Sequence, residues 1–433
     1  MFSLNSIRRL LVLASLFGLA PLSSAGAAAF NGVGLYNGAD YGMSPGGTAA
    51  ANTTALNNAI TAAASTCGAV VIPAAYQVNS FTVPGCVFLV GYGTSTSILY
   101  QNNTTGAFIT FNGTNAGLDG IGVITTVAAS SGDTIHVNAG GIRLLNFSLY
   151  AAGTSGQHMH NGIHLDADNA ALYYIDNFVI SGAENAGIVS GDPSNSTSTT
   201  PPIGIISNGQ IGSYGSGVGV LLYQNGGTTW SNIQELHGAH GFQTYAGAGQ
   251  VIFAQYFVNC FADSNSSDAW SIGSNGGKVG DIHLSNVWGS TSSGGHGLSI
   301  QGAAAGQIDG VNIQGGAFVN NNKAGITLAQ ASNITINGAD IFNNSQASSG
   351  GYPGVSVAAG TSGFTITNNT IGAGGISKLK GFPSQQSYGV VVNPGSSDGY
   401  IIEFNRGSGN LSTTFVSDGG TGVNKRVDNN IAY

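Results

Sequence analysis

Charge is what this chain has least of. Only 6% of its 433 residues are Asp, Glu, Lys or Arg, with 10 cations against 18 acids and a formal net charge of −8. So few cations cannot track a phosphate backbone, which argues against a nucleic-acid partner. Cysteine is also scarce, with three residues, so a cysteine-dense scaffold is excluded. Long apolar runs are missing as well. The first, Leu10 to Ala20, is too short to span a bilayer, and no later segment approaches the necessary length. Low charge with 70 glycines could signal disorder, but 42% of the residues are hydrophobic and they are regularly spaced, which argues for a folded chain.

Residues 1–29 read as a secretory leader. Arg8 and Arg9 supply the positive start, Leu10 to Ala20 the apolar segment, and Ser23 to Ala29 a small-residue cleavage region. The mature chain is then expected to be secreted, periplasmic or at the cell surface. Its balance becomes more acidic once the two arginines leave. In that setting Cys67 and Cys86 are a plausible disulfide, while Cys260 is expected to point into the core.

What the chain has in place of charge is a repeat. Gly241-Phe242-Gln243-Thr244, Ala269-Trp270-Ser271-Ile272, Gly297-Leu298-Ser299-Ile300, Gly325-Ile326-Thr327-Leu328 and Gly354-Val355-Ser356-Val357 share one form, and their starts lie 28, 28, 28 and 29 residues apart. A fixed period of this size marks a solenoid. Alternation within each unit marks strands. One such strand cannot bury its apolar face alone, but a stack of copies can. The fold class predicted is all-β, a right-handed parallel β-helix. Earlier members begin at Gly162, Gly187 and Gly219, and a later one at Gly389. Second strands follow at Ile282-His283-Leu284, Val311-Asn312-Ile313, Ile334-Thr335-Ile336 and Phe364-Thr365-Ile366. The Asn-rich steps at Asn320, Asn343 and Asn368 suit turns that need a left-handed backbone.

Ahead of the stack, Leu56, Ala59, Ile60 and Ala63 sit at helical spacing, with Asn52 as the expected N-cap. Val70-Val71-Ile72-Pro73 and Leu89-Val90-Gly91-Tyr92-Gly93 follow. Residues 30–95 are therefore read as an N-terminal cap with the first coil, and 96–433 as the coils of the same domain. This opening resembles that of pectate-lyase-like β-helix proteins and phage tail-spikes, in which a short helix covers the first coil. The resemblance implies a polysaccharide as partner and allows a homotrimer.

Stacking turns sequence interval into position. Equivalent residues on adjacent coils lie about 4.8 Å apart. The file just before each repeat reads Asn161, Ala186, Val218, His240, Asp268, His296, Ala324, Pro353. Three consecutive titratable residues, His240, Asp268 and His296, are therefore expected as vertical neighbours. Gln243, His164, Tyr245, Tyr223 and Asp166 fall on adjoining outward positions, and Lys323 lies one coil beyond His296. Tyr rings cover the apolar side of a sugar, and amides and carboxylates bind its hydroxyls. The same file also fits a hydrogen-bonded ladder that pins coil register.

Ser293-Gly294-Gly295-His296-Gly297 resembles the Gly-His-Gly motif of the polygalacturonases, and Ser267-Asp268-Ala269 sits one coil earlier, where that family has Asp-Asp-Cys. The resemblance implies that Asp268 is a catalytic carboxylate and His296 the active-site histidine. Ser267 replaces the second Asp, His240 stands where the Asn-Thr-Asp motif has its carboxylate, and Thr327 replaces the arginine of Arg-Ile-Lys. Inverting hydrolysis uses two carboxyl groups, so these departures bear on the chemistry. A glycoside hydrolase is the leading expectation, with a non-catalytic carbohydrate-binding protein and a polysaccharide lyase as alternatives. For a calcium-dependent lyase, Asp166, Asp168 and Asp176 are the clustered carboxylates and Arg143 the one guanidinium nearby. No cofactor is expected. The one candidate pair for a metal is His158 and His160, since His-x-His on a strand points both rings to one face.

Overall fold

The computed structural model describes residues 34–152, 156–166, 169–194, 201–374 and 384–433. The expected leader at 1–29 and Asp168 lie outside them. The chain winds into a parallel β-solenoid of about 12 turns, all-β apart from short N-terminal helical segments. Each regular coil contributes three strands to three stacked faces. One coil supplies Trp270–Asn275, Lys278–Ser285 and Trp288–Ser290, and the next adds Leu298–Gly302, Ile308–Gln314 and Ala317–Val319 in parallel register.

The period read from the sequence is the observed register. Phe242 pairs with Trp270, Trp270 with Leu298, Leu298 with Ile326, and Ile326 with Val355. All five side chains are buried. Phe242 and Trp270 stack with ring centroids 4.0 Å apart. The second strands align too, Ile282 with Val311, Ile334 and Phe364. Burying a large apolar side chain contributes roughly 1.5–3 kcal/mol, and here every coil repeats that gain.

Turns carry the asparagines. Asn286, Asn320, Asn343 and Asn368 all have φ between 52° and 58°, the left-handed region where Asn is favoured. The residues after three of them form buried ladders. The Asn344 carboxamide accepts from both the backbone N–H (3.1 Å) and Nδ2 (2.9 Å) of Asn321, and donates to the Phe318 carbonyl (2.9 Å) and Gln386 Oε1 (3.0 Å). Asn369 stands likewise on Asn405.

The helix Ala49–Ala64 packs Leu56, Ala59, Ile60 and Ala63 onto the first coil. Its N-cap is Thr48, not Asn52: Thr48 Oγ1 accepts from Ala51 N–H. Asn52 is buried in the first turn, where its Oδ1 accepts from Ser44 N–H and its Nδ2 donates to the Gln77 carbonyl, tying the helix to a first-coil strand. The Cys67–Cys86 disulfide forms and Cys260 is buried, as expected. Among the described residues no helix is long and apolar enough to cross a membrane.

The ladder sets a test. Asn344→Ala strips partners from buried donors and acceptors, each worth about 1–3 kcal/mol. The thermal midpoint is expected to drop sharply, whereas Asn286→Gly, at a left-handed turn glycine tolerates, should leave it nearly unchanged.

Candidate functional site

One face of the solenoid carries the chemistry. Its strands include Asp133–Val137, Met159–Leu165, the end of Ala171–Ser190, Val218–Leu222, Phe242–Gly247, Trp270–Asn275 and Leu298–Gly302. His240, Asp268 and His296 do stand in one file along its margin, all half-buried. Backbone bonds lock the file: Gly219 N–H donates to the His240 carbonyl and Ala269 N–H to the His296 carbonyl.

Within this trio the contacts run side chain to backbone. His240 Nδ1 donates to the Asp268 carbonyl oxygen at 3.0 Å. That bond fixes the tautomer and leaves the Nε2 lone pair without a partner among the described residues. Asp268 Oδ1 accepts the His296 backbone N–H at 2.7 Å. Its Oδ2 has no hydrogen-bond partner among the described residues. Burial lowers the pKa of His240, against the opposing pull of Asp268. Burial also lowers that of His296, with the Lys323 charge adding to the fall and Asp268 opposing it. Both rings are thereby held toward the neutral form. The Tyr352 ring meets His296 edge-on at 6.2 Å, a neighbour that sequence spacing did not supply.

The file continues beyond the predicted trio. Below His240 come Val218, Ala186, Asn161 and then Asp133, which pairs with Asn161. Ala186, Val189, Val218 and Leu221 form a small apolar cluster outside the main core, with Tyr223 packed on it. Tyr223 and the exposed Tyr245 meet edge-to-face at 6.4 Å. Gln243 lies in the adjoining file, level with Leu221 and Ser271. From Asp133 to His296 the file covers six coil steps, roughly 29 Å at about 4.8 Å each.

At its lower end lies a second polar cluster. Asp133 Oδ2 faces His136 Nδ1 at 2.8 Å and His164 Nδ1 at 3.2 Å, while Oδ1 accepts from Asn161 Nδ2 at 2.8 Å. His136 Nε2 stands 3.7 Å from Asp166 Oδ2. His164 and Asp166, expected as sugar contacts, thus belong to this group and not to the His240 trio. Burial opposes charge on both Asp133 and His136, but their mutual bonds win: the carboxyl is held far below its ordinary range and His136 is raised to about 9.

Among the described residues no third ligand joins both His158 and His160. His158 Nε2 pairs with Glu184 Oε2 at 2.9 Å and its ring stacks on Tyr214. The acid cluster imagined for a calcium-dependent lyase does not form among the described residues: Asp176 binds Ser207 and Asn208 on another face, in register with Leu145.

Sequence reasoning also missed Glu235. Asn232, with φ 55°, resets the alternation of its strand so that Ile233 and Glu235 point inward. Glu235 Oε1 accepts from Gly238 N–H at 3.0 Å and Oε2 from Asn265 Nδ2 at 2.8 Å, beneath the turn that presents His240. A Cβ at Gly241 would clash with Ala262 Cβ and lie 2.8 Å from Oε2 and 2.9 Å from the Ala269 carbonyl oxygen, so this turn requires glycine.

No family model matches the chain, and no curated protein matches it by sequence. Solved structures match by shape. The N-terminal fragment of bacteriophage Phi29 gene product 12 aligns with TM-score 0.59 and 12% identity, covering 99% of this chain and 73% of that one. A tailspike double mutant of Escherichia coli bacteriophage HK620 aligns with TM-score 0.58 and 12% identity, covering 88% and 77%. The Azotobacter vinelandii mannuronan C-5 epimerase AlgE4 A-module covers 92% and 95% at 18% identity, with TM-score 0.45. At these identities the likeness to the two phage proteins shows the fold alone.

Burial pushes Glu235 up to about 8. Its folded pKa lies above its unfolded value of about 4.3, so between the two the unfolded chain binds fewer protons and stability falls as pH rises. Glu235→Gln is expected to flatten the decline of the thermal midpoint between pH 5 and 8. An unchanged slope would contradict the assignment.

Proposed function

We propose that this chain binds an extracellular polysaccharide along the face running from Asp133 to His296 and cleaves it by hydrolysis at Asp268. The observation that carries the reading is the state of Asp268. One carboxylate oxygen is anchored by the backbone of the next coil, and the other is free at a half-buried surface beside His240 and His296. A carboxylate so held is oriented to take a proton from water attacking the glycosidic carbon, while the glycosidic C–O bond breaks and the departing oxygen takes its proton from solvent at the open face. Tyr245 and Tyr223 supply an aromatic platform one and two coils from Asp268, and Gln243 a neutral hydrogen-bonding group on the same coil as His240 and Tyr245. Lys323 provides a donor on the far side of His296.

The same site favours one alternative reaction. His240 is held neutral with its Nε2 lone pair unpartnered, which suits a base that removes a carbon-bound proton in β-elimination. Hydrolysis and elimination leave different products, so one assay separates them. Purified protein is incubated with a panel of acidic and neutral polysaccharides, and reducing ends and ultraviolet-absorbing unsaturated ends are both measured. Hydrolysis gives reducing ends without ultraviolet absorption, and Asp268→Asn lowers kcat by about 10²–10⁴. Elimination gives both signals, with the comparable loss in His240→Gln. Binding without turnover would select a carbohydrate-binding protein, and activity untouched in Asp268→Asn and His240→Gln would remove the site.

A further inference from the structure

The cluster at the lower end of the face has a feature that hydrogen bonding alone satisfies poorly. Two imidazoles, His136 and His164, stand edge-to-face with centroids 4.9 Å apart. All four of their ring nitrogens face acceptors. His164 Nε2 is 3.1 Å from the Gly191 carbonyl and can only donate there. His136 Nε2 points to the Asp166 carboxylate at 3.7 Å. The two Nδ1 atoms converge on one oxygen, Asp133 Oδ2, at 2.8 and 3.2 Å. Filling every contact with protons needs two imidazolium rings in contact, whose charges repel. A cation at the point where the three atoms converge removes the conflict. Each ring then keeps its proton on Nε2, that of His164 bonded to the Gly191 carbonyl and that of His136 facing the Asp166 carboxylate, and turns the Nδ1 lone pair inward.

We infer that Asp133, His136 and His164 bind a divalent transition metal of the zinc class, with a coordination position left open toward the polysaccharide-facing surface. The three ligand atoms lie within 4.8 Å of one another. Tetrahedral zinc, with bonds of about 2.0–2.2 Å, holds its ligands roughly 3.3 Å apart, and the two Oδ2–Nδ1 separations of 2.8 and 3.2 Å lie close to that spacing. Outer partners are those a metal-bound histidine uses: a carboxylate behind His136 and a carbonyl behind His164. Asn161 Nδ2 holds the remaining oxygen of Asp133, and its own Oδ1 is fixed by Asn185 Nδ2 at 2.7 Å. Parallel stacking makes the geometry possible, since His136 and His164 are register partners on consecutive coils and Asp133 lies three residues before His136. The site is separate from the Asp268 trio and stands whether or not that trio is catalytic.

The test uses the full chain, stripped with a chelator and titrated with Zn²⁺ by calorimetry, with Co²⁺ as a spectroscopic probe. One equivalent of Zn²⁺ is expected, and Co²⁺ should give visible ligand-field absorption. His164→Gln should weaken Zn²⁺ binding at least 100-fold and abolish the Co²⁺ bands. Asp166→Asn, which removes only an outer partner at a partly exposed position, should weaken it 10–100-fold. His283→Gln, on another face, should bind as wild type does. Failure of the wild type to take up stoichiometric Zn²⁺ overturns the site, as does unchanged affinity in His164→Gln. Should that variant misfold, unchanged affinity in Asp166→Asn overturns it instead.

Discussion

The structure depends on the hydrogen-bonded register between successive parallel coils. A strand of three to six residues with one apolar face is not stable by itself. Paired above and below, its backbone groups are satisfied and its apolar side chains join a continuous core. The register fixes more than stability. It assigns each outward side chain a vertical neighbour one coil away. A nearly uncharged chain can therefore gather its few titratable residues along one file. Asp133, His240, Asp268 and His296 share that file although 163 residues separate the first from the last.

How much of this was legible follows from what repeats. The 28-residue spacing exposed the coils, the inward column from Phe242 to Val355, and the His240–Asp268–His296 file. The helix showed in its apolar spacing, but its cap did not. Asn52 has a capping side chain, yet that side chain is drawn to Ser44 and Gln77, leaving Thr48 as the cap. Asp133 and His136 fall outside a repeat recognised by its leading glycine. Thr134-Ile135-His136-Val137 has the same form and precedes Gly162-Ile163-His164-Leu165 by 28 residues, but it opens on threonine. Period, not glycine, was the signal. Glu235 was invisible for another reason: a left-handed Asn232 shifts the strand's phase, and no local pattern announces such a reset.

The polar residues divide into two kinds of work. Inside, Asn321, Asn344 and Asn369 exchange hydrogen bonds between coils and are fully occupied, so they hold register. Outside, among the described residues, Asp268 keeps one oxygen and His240 one nitrogen without a hydrogen-bond partner, while Asp133, His136 and His164 converge on one point. Groups with unspent valence at a partly open surface are where ligands gain most, because the protein has already met the cost of ordering them. The apolar step at Ala186, Val189, Val218 and Leu221, capped by Tyr223, separates the two clusters and offers a sugar ring a surface that does not compete for hydrogen bonds.

Register itself is open to direct measurement by paired cysteines. Ser271 and Ser299 are partners on consecutive coils of the functional face, at a spacing of about 4.8 Å that a disulfide can bridge. In a Cys260→Ala background, Ser271→Cys with Ser299→Cys should oxidise readily to an intrachain disulfide, while Ser271→Cys with Gln301→Cys, displaced by two residues, should stay reduced. Bridging by the displaced pair with none in the aligned one would contradict the register and dissolve the shared face.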